Sequence, residues 1–200
     1  MAAPRRHLVL FVRLPRYGVG KRRLAHDVGD AAAVRFERTM LDVLLRRLGR
    51  DRRWRLRLAV TPDRAQRHRW PKRWRAGGQG RGDLGARMRR ALAMCSPGPV
   101  VLIGADIPAV RPDHIAAAFR LLGRCDLVFG PAEDGGFWLV GTRRWPLPTP
   151  LFESVGWSRP DTLAAVLRQL PPHVSVGLAA RLADVDDGPS YRRLMPRRGF

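Results

Sequence analysis

The sequence predicts a single α/β domain, a three-layer αβα sandwich in which a mostly parallel sheet is covered by helices on both faces. Three observations carry that reading. Short apolar segments of strand character alternate with segments of helical period, as crossover-connected parallel strands require. Two of them, His7 to Val12 and Pro99 to Gly104, are apolar throughout, which suits strands buried on both sides. A chain of 200 residues with 45% hydrophobic residues suffices for one packed core and leaves no room for a second catalytic domain. One domain over 1–200, with its core at about 7–194, is therefore expected.

The elements follow in order. After the first strand, HLVLFV, comes a loop, LPRYGVGKRRL. A helix runs from about Ala31 to Leu48, with Phe36, Met40, Val43, Leu44 and Leu48 at three- and four-residue steps, and Gly49 ends it. Arg55 to Val60 alternates polar with apolar, which places a strand nearer the sheet edge. Residues 62–82 carry turn formers and charge without periodicity and are expected to be a mobile loop. Asp83 begins a short helix through Met94, and Pro112 with Asp113 opens another to Leu122, because proline suits the first turn and aspartate complements the helix dipole. Strands are expected at Asp126 to Phe129, Phe137 to Val140 and His173 to Val176, and a capping-box-like Ser158-Arg-Pro-Asp161 starts a helix to Leu170.

Charge and cysteines narrow the functional classes. Lys+Arg 38 against Asp+Glu 17 gives +21, with 26 basic and 7 acidic residues in 1–100 but 12 and 10 in 101–200. All but Lys21 and Lys72 of the basic residues are arginine, a skew that codon bias produces without functional demand. A basic field still favours anionic ligands. Cys95 and Cys125 show no metal-ligand spacing and make no disulfide framework, so a reducing compartment is expected. The leader-like start Met-Ala-Ala-Pro-Arg-Arg is followed by an apolar stretch cut off at Arg13, too short for a signal sequence, and no apolar run approaches a membrane span. A soluble, cytoplasmic protein is the expectation.

Two familiar phosphate motifs fail on inspection. A Walker A motif needs glycine at Pro15 and Ser or Thr at Arg22, and a dinucleotide fingerprint from Gly18 and Gly20 needs glycine at Arg23. The physics survives: a loop after a buried strand, with Gly18 and Gly20, exposes backbone N–H groups, and Lys21, Arg22 and Arg23 add charge for a diphosphate. An ordinary turn in an arginine-rich chain is the alternative. Asp106 follows Gly104-Ala105 at the carboxyl end of a buried strand, where open α/β sheets bind ligands, and suits Mg²⁺ or Mn²⁺ better than a capping role. Asp184-Val-Asp186-Asp187 offers a second carboxylate for such an ion, its plain alternative being a solvated turn. Glu133-Asp134-Gly135-Gly136 joins two strands, where the glycines admit either a ligand or a hairpin. Trp54, Trp70 and Trp74 among arginines look like a base-stacking surface, but core packing with cation–π contacts is favoured, since no recognised nucleic-acid module is present. No HExxH pair and no GxSxG elbow appears, which removes zinc and serine-hydrolase chemistry.

Six stretches in order, LVLFVRLPRYGVGKRRLA, QGRGDLGARM, VVLIGADIP, FGPAEDGGFWLVG, LFESVGW and DVDDGPS, cover about residues 8 to 190. Together they resemble the small bacterial arsenosugar-biosynthesis or selenodomain-associated glycosyltransferases, which are similar in turn to 2-phospholactate and molybdenum-cofactor guanylyltransferases. The resemblance implies a nucleotide-diphospho-sugar transferase fold of GT-A, Rossmann-like type. It implies that Pro15, Gly18, Lys21 and Arg23 surround the nucleotide and its phosphates, with Gln79, Gly80 and Asp83 nearby. Asp106 takes the DxD-like metal position and Asp186, or else Asp184, supplies the second ligand for Mg²⁺ or Mn²⁺. Asp134, Gly135, Gly136, Trp157 and Ser158 fall on the acceptor side. The family's threonine is Arg22 here, its tyrosine is Phe137, its WST is Trp157-Ser158-Arg159, and its TPED-like segment after the DVD is missing, so the donor is not carried over.

Three functions compete. The first is a metal-dependent glycosyltransferase moving a sugar from a nucleotide-diphospho-sugar to a small-molecule acceptor, with Lys21 stabilising the departing diphosphate and Asp134 as general base if the sugar carbon inverts. The second is a nucleotidyltransferase joining a nucleoside triphosphate to a phosphorylated small molecule with release of pyrophosphate, which needs no protein base. The third, a non-catalytic anion or RNA binder, predicts steep salt dependence and no response to divalent metal.

Overall fold

The computed structural model describes residues 5–68, 70–71, 73–95, 98–143 and 151–194. Met1–Pro4 of the leader-like start, and Arg69 and Lys72 of the 62–82 segment, lie outside the described residues. The strands are β1 (His7–Arg13), β2 (Arg55–Thr61), β3 (Arg75–Gly78), β4 (Val100–Gly104), β5 (Leu127–Pro131), β6 (Phe137–Thr142) and β7 (Val176–Leu178). The helices are α1 (Arg22–Val28), α2 (Asp30–Leu48), α3 (Leu84–Ala93), α4 (Pro112–Leu121), α5 (Thr162–Arg168) and α6 (Gly188–Leu194). The sheet order is β3-β2-β1-β4-β6-β5-β7, parallel throughout except that β6 runs antiparallel between β4 and β5.

Alternation along β1 divides the core into two layers. Leu8, Leu10 and Val12 pack with Phe36, Met40 and Leu44 of α2 and with Ile115 and Phe119 of α4, whereas Val9 packs with Met88 and Leu92 of α3 and Val166 of α5. The three-layer expectation therefore holds. Trp54 and Trp74 are buried, each beneath an arginine: Arg53 lies 5.1 Å and Arg73 4.5 Å from the ring centroids. Trp70 donates its Nε1–H to the Ala65 carbonyl at 2.9 Å. The tryptophans are packing, as the sequence favours.

Several elements differ from expectation. The segment 62–82 is not an open loop: it holds a 3-10 turn, Asp63–Arg67, and the edge strand β3. Its RAGG sequence has no apolar period, so the strand comes from main-chain pairing to β2 alone. The glycine-rich loop turns helical at Arg22, with Leu24 fully buried as the anchor. The helix α6 was not anticipated. Asp187 starts it by accepting from the Ser190 N–H at 2.8 Å and hydroxyl at 2.6 Å, and Tyr191 meets Phe36 edge-on. One carboxylate of the acidic cluster is thereby committed to a helix cap.

The helix expected from Ser158 begins only at Thr162, and Asp161 makes no side-chain cap. Thr162 holds the preceding turn instead: its hydroxyl accepts from the Arg159 N–H at 3.1 Å and lies 3.0 Å and 2.8 Å from the Gly156 and Arg159 carbonyls. The final strand lies at Val176–Leu178, later than His173 to Val176.

That turn docks on Gly135. At φ +86° a Cβ there would stand 1.7 Å from the Pro160 carbonyl oxygen, and the Gly135 carbonyl accepts from the Leu163 N–H at 3.0 Å. Gly135→Ala should lower unfolding free energy by about 2–4 kcal/mol, through backbone strain plus overpacking. Gly18→Ala, at φ +69° with nothing within 4 Å, should cost only about 1 kcal/mol. Urea unfolding of both variants checks the contrast, and equal losses would refute the docking role.

Candidate functional site

The carboxyl ends of β1, β2 and β4 open into a cleft with two halves. One half, of about 390 Å³, is lined by Phe11, Arg13, Lys21, Glu37, Thr61, Gln79, Arg87, Asp106 and Asp186, among others. The other, of about 470 Å³, includes Arg22, Arg23, Asp134, Gly136, Trp157, Ser158, Arg159 and Asp184. Asp106 and Asp186 line both halves and so mark their seam.

Two backbone features bring these distant carboxylates together. Asp106 follows β4, and a Cβ at Gly104 would stand 2.8 Å from its Oδ1, so glycine gives that side chain its room. The Asp106 carbonyl accepts from the Val185 N–H at 3.1 Å, and Val185 is buried in the core. With Val185 inward, its neighbours Asp184 and Asp186 both line the cleft.

Lys21 joins the pair. Its Nζ donates to Asp106 Oδ2 at 2.8 Å and lies 3.5 Å from Asp186 Oδ1, with only 10% of its side chain exposed. Burial works against the ammonium, but the Asp106 charge and hydrogen bond, with Asp186 and Asp184 behind, outweigh it and raise Lys21 above the ordinary lysine value. Arg23 Nη1 adds a second, solvent-facing contact to Asp186 Oδ2 at 3.5 Å. Asp184 is relieved less, by a backbone hydrogen bond and by Lys21. Burial first, then the Asp106 and Asp134 charges, push its carboxyl up to about 6.

Other expected residues fall elsewhere. Pro15 lines a separate cavity beside Trp70 and Trp74, and Gly18 lines a hollow between the glycine loop and α2 that shares Lys21 with the cleft. Asp83 accepts from the Ala86 N–H at 2.8 Å, capping α3, and the Gly80 N–H donates to Asp63 at 2.9 Å; neither lines the cleft. Gly135 serves the turn docking described above, while Gly136 lines the second half and donates its N–H to Asp134 Oδ1 at 2.9 Å. Gln79, 1% exposed, spends its amide on the fold: Nε2 donates to Val12 and Ala59 carbonyls at 3.1 Å and 2.8 Å, and Oε1 accepts from Arg87.

Arg87 and Glu37 went unmarked in the sequence. Arg87 stands one helical turn after Asp83 within the QGRGDLGARM stretch, but it is one arginine among many. Glu37 sits on α2, and burial raises its carboxyl, opposed by Lys21 and Arg13. Cys95 and Cys125 are free, and burial pushes the Cys95 thiol up to about 11. Among the described residues, no helix is long and apolar enough to cross a membrane.

The donor set suits a hard cation in part. Among the described residues no three His, Cys, Asp or Glu side chains converge tightly enough to hold an ion unaided. Two carboxylates that already share one cationic atom, with Asp184 as a third lining the same cleft, fit an ion such as Mg²⁺ that completes its shell with water and ligand phosphate.

A family model described as "Uncharacterized protein conserved in bacteria (DUF2064)" matches residues 44–159. The chain belongs to the DUF2064 family. No curated protein matches it in sequence. Among solved structures it is similar to a "putative nucleotide-diphospho-sugar transferase" from Desulfovibrio desulfuricans G20, at 26% identity and TM-score 0.78 over 91% of this chain and 82% of that one. It is also similar to 4-diphosphocytidyl-2C-methyl-D-erythritol synthase from Anaerococcus prevotii DSM 20548, at 9% identity and TM-score 0.62, covering 96% of each chain. A third likeness is to glucosyl-3-phosphoglycerate synthase from Mycobacterium tuberculosis, solved with Mn²⁺, UDP and glucosyl-3-phosphoglycerate, at 13% identity and TM-score 0.56 over 96% of this chain and 75% of that one. The last two establish fold alone. This DUF2064 chain has the nucleotide-diphospho-sugar transferase fold.

The charge pattern generates a pH prediction. Because Asp184 is raised, its protonated form stabilises the fold; that contribution is complete below the unfolded value of 3.8 and is lost as pH rises through about 6. In metal-free buffer Asp184→Asn should therefore melt higher than the parent at pH 8, by roughly 1–2 kcal/mol after allowance for solvent screening. The gap should close toward pH 4. Thermal melts across that range check it, and parallel curves would contradict the assignment.

Proposed function

We propose that this protein is a metal-dependent glycosyltransferase acting on a nucleotide-diphospho-sugar and a small-molecule acceptor. The observation that supports it is the seam: Asp106 and Asp186, bridged by Lys21, stand between one half of a cleft lined by Lys21, Gln79 and Arg87 and a second half carrying an exposed carboxylate, Asp134. The likeness to the D. desulfuricans protein favours the same reading. Within DUF2064, the arsenosugar or selenodomain type is the subfamily we propose, on the six sequence stretches.

Asp106 and Asp186 would hold Mg²⁺ or Mn²⁺, which when bound supplies charge against the developing diphosphate. Lys21 is placed to donate to a phosphate oxygen at the same seam as the bond from the sugar carbon to the diphosphate breaks with its electron pair. The acceptor oxygen forms the new bond to that carbon. In an inverting transfer its proton passes to Asp134, whose other oxygen is steadied by the Gly136 N–H. Trp157 and Ser158 would border the acceptor.

A second reading, nucleotidyl transfer from a nucleoside triphosphate to a phosphorylated small molecule, is favoured by one feature. Asp134 is exposed and already accepts a backbone hydrogen bond, and an anionic phosphate nucleophile requires no base. Product analysis separates the two: nucleoside diphosphate from a sugar nucleotide, or pyrophosphate from a triphosphate.

Asp106→Asn should lower turnover roughly 10²–10⁴-fold, and EDTA should abolish activity in the parent protein. The variant should melt lower than the parent, because buried Lys21 loses the charge that chiefly offsets its burial, so a far-UV CD spectrum at the assay temperature is used to show that the lost turnover is not lost folding. Undiminished metal-dependent transfer by the variant would refute the assignment.

A further inference from the structure

We propose that Arg87, held by Gln79, reads the nucleobase of the donor and selects a base edge that carries two adjacent hydrogen-bond acceptors. The inference rests on the transferase reading above and adds the ligand class of the donor half.

Gln79 has no capacity to read a base itself. Both hydrogens of its buried amide go to the main chain at the ends of β1 and β2, and its backbone carbonyl accepts from Arg90 Nη1 at 2.5 Å. What remains is Oε1, and Arg87 Nη2 takes it. Gln79 is thus a positioning residue: it fixes one corner of a guanidinium that also lies over the Phe11 ring, 5.6 Å from its centroid.

Arg87 itself is left unmatched. It lines the donor half, forms no ion pair among the described residues, and the Gln79 bond uses one of its five N–H donors. Its remaining N–H groups are open to the cleft, where a ligand can replace the water that solvates them. Its electrostatic surroundings also differ from those of Lys21. Burial and Arg13 bear on Arg87, with Asp63 opposing, whereas Asp106, Asp186 and Asp184 bear on Lys21. Their contacts differ too: Lys21 is held at the Asp106–Asp186 seam, and Arg87 against Gln79 and the Phe11 ring. If the phosphates lie at the Lys21 seam, Arg87 faces the nucleoside.

The guanidinium fork pairs best with two neighbouring acceptors. Guanine offers O6 and N7, and cytosine offers O2 and N3. Adenine and uracil interleave donors with acceptors along their edges, so one N–H of the fork would meet another N–H. The shared chemistry is the double-acceptor edge, and purine or pyrimidine is decided by experiment.

Calorimetric titration of the full chain with GDP, CDP, ADP, UDP and pyrophosphate, each with Mn²⁺, tests this. GDP or CDP should bind about tenfold or more tightly than ADP and UDP. Arg87→Lys keeps the charge and loses the fork, so it should erase that preference while leaving pyrophosphate affinity unchanged. Gln79→Leu should erase it as well, and the double variant should discriminate no worse than Arg87→Lys alone, which a merely structural role for Gln79 would not produce. Thermal melts confirm that each variant folds. Base-blind binding by the parent, or equal weakening of all four nucleotides and pyrophosphate by Arg87→Lys, overturns this inference and leaves the transferase reading standing. Failure of the parent to bind any of them overturns both.

Discussion

One ammonium between two carboxylates organises the functional end of this molecule. Lys21 arrives from the loop after β1, Asp106 from the end of β4, and Asp186 from the segment before α6, so three remote parts of the chain meet at one cation. Removing such a charge from water is unfavourable unless the partners stand close, and here the 2.8 Å contact to Asp106 does most of the compensating. Two further contacts tie these segments together: Val185 N–H to the Asp106 main-chain carbonyl at 3.1 Å, and the Gly188 N–H to the Asp27 side chain, Oδ2, at 2.8 Å. The backbone places the carboxylates, and the lysine answers the field they create.

Asp184, one residue from buried Val185, is raised to about 6, first by burial and then by the Asp106 and Asp134 charges, with Lys21 opposing. The second half of the cleft sets Asp134 and Asp184 beside Arg22, Arg23 and Arg159, so acids and bases mix on both sides of the seam.

The fold was largely legible because its central strands are apolar runs. HLVLFV and PVVLIG announce β1 and β4, and Asp106 was found as the first acid beyond such a run. What stayed hidden depends on partners distant in sequence. RAGG becomes β3 through the hydrogen bonds of β2, and GPSYRRL becomes α6 through the Asp187 cap and the Tyr191–Phe36 contact. The candidate site divides in the same way. Asp186 was visible as acid in a basic chain, and Lys21 as one of two lysines, but the family pattern around Asp83 pointed to nucleotide where the side chain caps a helix. Gln79 lines the cleft, but its amide is spent on the Val12 and Ala59 carbonyls, a commitment that a glutamine in a glycine-rich stretch does not announce.

Arginine abundance explains why Arg87 escaped notice and why the net charge of +21 says little about partners. Many guanidiniums are already spent on the fold. Arg47 clasps the Pro108 and Val110 carbonyls at 2.8 Å and 2.6 Å, Arg57 the Met94 carbonyl at 3.2 Å, and Arg90 the Gln79 and Arg81 carbonyls, while Arg53 and Arg73 cover tryptophan faces. Lysine, with a compact ammonium and no planar face, would serve these places less well. A polyanion-binding surface needs cations that are free and solvated, and a count of residues does not distinguish those from clamps. In such a chain the functional cation is marked by what it lacks. Arg87 is half-buried, lines the cleft and gives one N–H to Gln79, so its remaining donors are open to whatever enters.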